Sequence, residues 1–130
     1  HAVAKGAFLL LSADYRIGVE GPFHIGLNEV QIGMPMHHAG IELARDRLRR
    51  SAFQRSVVCA EMFDPAGALA AGFLDEVVPA QQLAEATLRA AQRLQKLNMK
   101  AHALTKLKVR KAFLETLDQA IALDREHSFS

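Results

Sequence analysis

Apolar side chains recur along this chain with two different periods, and the change from one to the other predicts its layout. The N-terminal part reads as short extended pieces around one helix. His1 to Val3 has the look of a strand end. Ala7 to Ala13 is apolar at nearly every position, which predicts a helix buried all round. Gly6 permits the tight approach that starts it. From Asp14 to Val19, Tyr15, Ile17 and Val19 alternate with Arg16 and Gly18, the period of a strand. Glu20-Gly21-Pro22 is a turn, Phe23 to Ile25 a short strand, and Val30 to Ile32 a third extended piece. Gly33 and Pro35 punctuate the turn that follows.

After that turn the spacing becomes helical. His37 to Leu48 places Ile41, Ala44 and Leu48 on one face. Ser51 suits the N-cap of a helix running to about Met62. Asp64-Pro65 is an N-cap followed by proline at the first helical position, and Gly72 suits the C-cap of that helix. Leu74 to Val78 reads as a strand. Pro79 starts a long helix carrying Leu83, Ala86, Ala90, Leu94 and Leu97. Two further helices are expected, over about Lys100 to Phe113 and about Leu117 to His127. Strand-helix alternation followed by helices predicts an α/β fold with a helical tail. The expected division is 1–78 for the α/β core and 79–130 for a helical segment serving association.

Composition narrows the classes without choosing one. The 130 residues can form a single core, and 50% hydrophobic with 23% charged is ordinary for a globular protein. A net charge of +2, with both signs interspersed, gives no footprint for nucleic acid. No run approaches the roughly 18 apolar residues of a membrane span. Cys59 stands alone, which rules out an internal disulfide and fits a reducing cytoplasm. No second histidine or cysteine pair sits at metal-ligand spacing, so no metal is expected. Ser12, Asp14 and Arg16 have no histidine at a defined spacing, which excludes serine-hydrolase chemistry.

Three blocks carry a resemblance. Val3-Ala-Lys-Gly-Ala-Phe-Leu-Leu-Leu-Ser-Ala-Asp-Tyr-Arg-Ile joins a small-residue turn to an apolar helix and an Asp-x-Arg-Ile exit. Ile25-Gly-Leu-Asn-Glu29 sets one carboxylate between a strand and a turn. Asp64-Pro-Ala-Gly-Ala-Leu-Ala-Ala-Gly-Phe-Leu-Asp-Glu-Val-Val-Pro is a helix, a glycine and a strand. Together they resemble the crotonase (enoyl-CoA hydratase/isomerase) family in register over nearly the whole chain. The resemblance implies a partial crotonase-like spiral of ββα units followed by C-terminal helices, with the family's N-terminal half missing. It also implies acyl-CoA thioesters as substrates, coenzyme A entering only as part of the substrate with no separate cofactor, and a homo-oligomer, a trimer or a dimer of trimers. The chain departs from the family pattern at Lys5 (usually glycine), Phe8 (usually glutamate), Ile25 (phenylalanine) and Asn28 (proline).

Residue by residue, the resemblance assigns the backbone N–H of Lys5 to an oxyanion hole, at the N-terminus of the apolar helix. Glu29 becomes the general acid/base, a carboxylate able to take a proton from one carbon and return it to another. Solvated-loop and tight-turn readings compete for Glu29 and Lys5. Phe8 stands where a second carboxylate would hold water for hydration, which favours double-bond isomerisation; plain core packing is compatible with that. Pro35, His37 and His38 are expected at the substrate, although neighbouring residues on a helix point apart and at most one imidazole faces it. The basic clusters Arg45, Arg47, Arg49, Arg50 and Lys100, Lys106, Lys108, Arg110, Lys111 read first as solvated faces and second as phosphate contacts. The rivals to an isomerase-type enzyme are a non-catalytic assembly module and a thioester hydrolase.

Overall fold

The computed structural model describes residues 1–128. Two small sheets hold the N-terminal part together. In one, β1 (Ala2–Val3) pairs in parallel with β3 (Ile25–Gly26), and β3 pairs antiparallel with β4 (Met62–Phe63). In the other, β2 (Ile17–Val19) runs parallel to β5 (Glu76–Val78), with Gly18 opposite Val77. Helix α1 (Lys5–Leu11) leaves β1 directly. Helix α4 (Pro65–Ala71) packs on β3, β4 and β5, α3 (Arg50–Val57) lies between α4 and α2 (His38–Arg47), and α5 (Leu83–Gln95) and α6 (Met99–Ser128) follow. The core collects Ala7, Leu11, Leu27, Ala44, Ala68 and Phe73, all out of water, with the Phe63 and Phe73 rings 5.8 Å apart.

Several boundaries differ from the sequence reading, each for a local reason. Helix α1 buries only Ala7 and Leu11, one turn apart, while Leu9 on its other side is 71% exposed. Val30–Ile32 is a 3-10 turn rather than an extended piece. The Glu29 carbonyl accepts the N–H groups of Ile32 (3.2 Å) and Met34 (2.8 Å), and Gly33 closes the turn at φ +84°. Arg49, extended at φ −62° and ψ 143°, caps α3 in place of Ser51, which lies inside the helix. That helix stops at Val57, so Met62 is free to pair in β4. Ala60 makes the stop with φ +53°, and the Glu61 N–H folds back to the Arg55 carbonyl at 3.0 Å. The two expected C-terminal helices are one, because no glycine or proline interrupts residues 99–128. It extends about 45 Å and packs along α2.

Asp64 and Gly72 do what their types predict. The Asp64 carboxylate accepts the Gly67 N–H at 2.7 Å, and Gly72 ends α4 at φ +101°. Beyond it, Arg16 clasps the turn into β5. Its Nε and Nη2 donate to Asp75 at 3.0 and 3.2 Å, and its Nη1 to the Gly72 carbonyl at 2.8 Å. Arg16 is 6% exposed, so this charge is buried only because it is fully engaged.

Candidate active site

The site begins at a backbone that alanine seldom adopts. Ala4 has φ +54° and ψ −120°, a conformation costing of order 1–3 kcal/mol for a residue with a side chain. Its N–H donates to the Gly26 carbonyl and its own carbonyl accepts the Phe8 N–H, both at 3.1 Å. The chain therefore turns abruptly from β1 into α1. Lys5 becomes the first residue of a helix whose first-turn N–H groups have no acceptor within the helix.

Glu29 arrives from the neighbouring strand. β3 ends at Gly26, Leu27 is fully buried beneath it, and the 3-10 turn fixes the Glu29 backbone. The side chain is 7% exposed, and its Oε2 is buried with no hydrogen-bond partner. A buried carboxylate oxygen without a partner is costly. Such a group calls for an explanation, and a catalytic role is one of the recognised ones.

Lys5, Phe8, Glu29, Pro35 and His37, five of the residues singled out in the sequence, line one cavity of about 520 Å³. Ile32, Met34, Leu43 and Leu117 complete apolar walls around them, and Glu29 is the one carboxylate among the described residues that line it. The His37 ring sits 5.4 Å from the Phe8 ring at 41°. Gly40 allows this approach: a Cβ there would lie 2.6 Å from His37 Cε1 and 2.7 Å from Phe8 Cζ. His37 caps α2, its Nδ1 accepting the Gly40 N–H at 2.8 Å, so the neutral ring carries its proton on Nε2.

Of the two adjacent histidines only His37 lines the cavity, and His38 is the exception among the expected substrate contacts. It does not line the cavity, because one step along a helix turns a side chain by about 100°. Its N–H donates instead to Asp124 at 2.7 Å. Four of the nine residues in the basic clusters serve internal partners. Arg47 donates to the Ala13 carbonyl at 2.7 Å, Arg45 pairs with Glu42 at 3.2 Å, and Lys106 and Arg110 each reach Asp14 at 2.8 Å. The bonded Lys106 ammonium is the main reason the Asp14 carboxyl is held below its ordinary range. Among the described residues no cluster of three His, Cys, Asp or Glu side chains could hold a metal ion. No described helix is long and apolar enough to cross a membrane.

A strained turn into a helix, with a lone buried carboxylate across an apolar cavity, matches a known group of proteins. The family model described as enoyl-CoA hydratase/isomerase matches residues 1–129. The chain belongs to this family. It is 34% identical over 110 residues to the mitochondrial enoyl-CoA delta isomerase 1 of Homo sapiens, which covers 84% of the chain and 36% of the relative. An enoyl-CoA hydratase/isomerase family protein from Pseudomonas syringae superposes with a TM-score of 0.96 at 74% identity, over 98% of the chain and 55% of that structure. An enoyl-CoA hydratase from Mycobacterium ulcerans superposes at 0.92 with 38% identity, over 100% and 56%. The α/β crotonase fold expected from the sequence is thus the fold observed. The chain spans just over half the length of those two solved structures and about a third of the human isomerase.

Sequence reasoning passed over seven of the residues that line this cavity, Met34, Ala39 and Gly40 among them. Ile32, Leu43 and Leu117 look like ordinary core residues, and nothing distinguishes Ala4 from its neighbours before its φ is known.

Proposed function

We propose that the protein carrying this chain shifts the double bond of an enoyl thioester, isomerising a 3-enoyl to a 2-enoyl acyl-CoA. The observation that carries this reading is the single carboxylate among the described residues lining the cavity, with the Phe8 ring where the resemblance places a second. Glu29 takes a proton from C2 of the 3-enoyl thioester. The negative charge moves onto the thioester oxygen, and the electron pair is delocalised toward C4. The same carboxyl then returns the proton at C4, leaving the double bond between C2 and C3. The Lys5 N–H, on the cavity rim in the first turn of α1, is the donor assigned to that oxygen. Removing one such donor typically costs about 2.7–4 kcal/mol in the barrier.

Hydration asks for more. A water must be held and split between two groups, and among the described residues lining the cavity Glu29 is the only carboxylate. The test is the ratio of the two rates in the natural full-length polypeptide. Isomerisation of a 3-enoyl thioester is expected to exceed hydration of a 2-enoyl one, and Glu29→Gln to remove about 10²–10⁴-fold of the turnover while the fold survives. Hydration faster by about tenfold or more, or a Glu29→Gln loss below tenfold, overturns the reading.

Association is part of the same proposal. Leu104, Leu107 and Val109 on α6 are each more than half exposed. Apolar surface of this kind supports self-association, with residues from 79 onward contributing, and the resemblance implies a trimer or a dimer of trimers. The last two of those residues lie outside the described ones. Sedimentation of the natural protein giving a stable monomer at micromolar concentration would contradict it.

A further inference from the structure

The first turn of α2 is not capped by its own segment alone. A helix leaves its first N–H groups without acceptors. In α2 three of these are met by side chains. His37 Nδ1 takes the Gly40 N–H at 2.8 Å. The other two bonds come from α6: Asp124 Oδ1 accepts the His38 N–H at 2.7 Å, and Oδ2 accepts the Ala39 N–H at 2.9 Å, across 85 residues of chain. The next donor, Ile41, starts the regular ladder on the His37 carbonyl at 3.1 Å. A carboxylate at the positive end of a helix is also favoured by its charge. Burial by itself would raise the Asp124 carboxyl, but the Ala39 and His38 N–H groups outweigh it and hold the group below its ordinary range.

This clamp lies against the cavity. Ala39 and Gly40 are lining residues, and His37 is both the cap and a wall. Leu117, two turns before Asp124 on the same face of α6, is a lining residue as well. Glu29 is held separately, by its own 3-10 turn. We propose that Asp124 is a positioning residue for the Glu29 cavity: by gripping the first turn of α2 it sets the His37 ring and the Gly40 backbone against Phe8, and so shapes the wall that receives the acyl chain. The claim about the acyl chain rests on the enoyl-thioester reading above; the claim about His37 does not.

The test compares the natural full-length protein with Asp124→Ala, Asp124→Asn and, as a control, Asp118→Ala, an exposed residue of the same helix. Nitrogen-15 spectra of the His37 ring report its tautomer, amide exchange reports the first turn of α2, and steady-state kinetics with a 3-enoyl thioester report binding. Asp124→Ala should release the fixed Nε2–H tautomer and speed exchange at Ala39 and Gly40 by roughly tenfold. KM should rise several-fold while kcat changes little, because only the wall has moved. Asp124→Asn keeps one acceptor oxygen and should restore part of each effect, and it stands in if the alanine variant does not fold. Asp118→Ala should leave all three readouts unchanged. Unchanged His37 ring shifts in both Asp124 variants overturn the proposal, as does faster exchange with an unaltered KM. A wild-type protein that turns over no enoyl thioester refutes the functional reading instead, and the His37 tautomer still decides the role of Asp124.

Discussion

Replacing Arg16 by alanine should unfold this protein more readily than any comparable change at its surface. The substitution removes two guanidinium bonds to Asp75, at 3.0 and 3.2 Å, and one to the Gly72 carbonyl, at 2.8 Å. The N–H of residue 16 still donates to Asp75 at 2.9 Å, and Asp75 keeps 31% exposure, so water can reach the abandoned carboxylate. Breaking a buried pair costs about 3–5 kcal/mol, and this partial relief places the loss near the lower end, at about 3 kcal/mol. In urea, with a slope of about 2 kcal/mol/M, the midpoint should fall by about 1.5 M. Arg16→Lys keeps the charge but not the fork, and should lose about half as much. The pH dependence gives a second check. Burial raises the Asp75 carboxyl, but Arg16 outweighs burial and lowers it below its ordinary 3.8. A group lowered in the folded state contributes stability above its unfolded value and loses it as the pH falls through the folded one. The gap between wild type and Arg16→Ala should therefore be full at neutral pH and narrow in acid below 3.8, down to what the bond to the Gly72 carbonyl contributes. A midpoint change under about 0.5 M at neutral pH, the range of a surface pair, or a gap that does not narrow in acid, would refute the reasoning.

Three further outcomes follow from the same geometry. Phe8→Glu should raise hydration relative to isomerisation by supplying the second carboxylate; a ratio of the two rates that does not move, in a variant shown to fold by circular dichroism, counts against the role given to Phe8. Ala4→Gly should stabilise the protein by about 1 kcal/mol, since it relieves a strained φ of +54° at some cost in unfolded-chain entropy, and thermal melting of the pair decides the sign. Gly72→Ala should cost about 1–3 kcal/mol in a denaturant titration, because φ is +101° and the new Cβ would lie 3.1 Å from both the Arg47 carbonyl oxygen and the Arg49 nitrogen.

What the sequence reveals here is what depends on near neighbours in the chain. The Asp64 cap and the Gly72 stop need only a few residues to declare themselves, and both are found as read. The cavity is legible for a related reason: Lys5 and Phe8 come from one block, and Glu29, Pro35 and His37 from another, so joining two blocks assembles most of the wall. One failure is local, and the others fall where a distant partner decides. Val30 and Ile32 have strand-forming side chains, yet the Glu29 carbonyl captures the N–H groups of Ile32 and Met34, and the segment curls. Met62 and Phe63 look like the end of a helix until β3 is there to pair with them. Asp124 is the extreme case. Within its own helix it is one acid among several charged residues, and its two acceptor oxygens acquire meaning only when α6 lies along α2. A carboxylate that completes another helix leaves no spacing signature near itself. Part of the cavity wall is therefore fixed by a residue that no local pattern marks, while Glu29 on the same cavity sits in a recognisable block. The cavity can be located from the chain alone, but the rigidity of that wall cannot, because it depends on contacts made after the chain has folded.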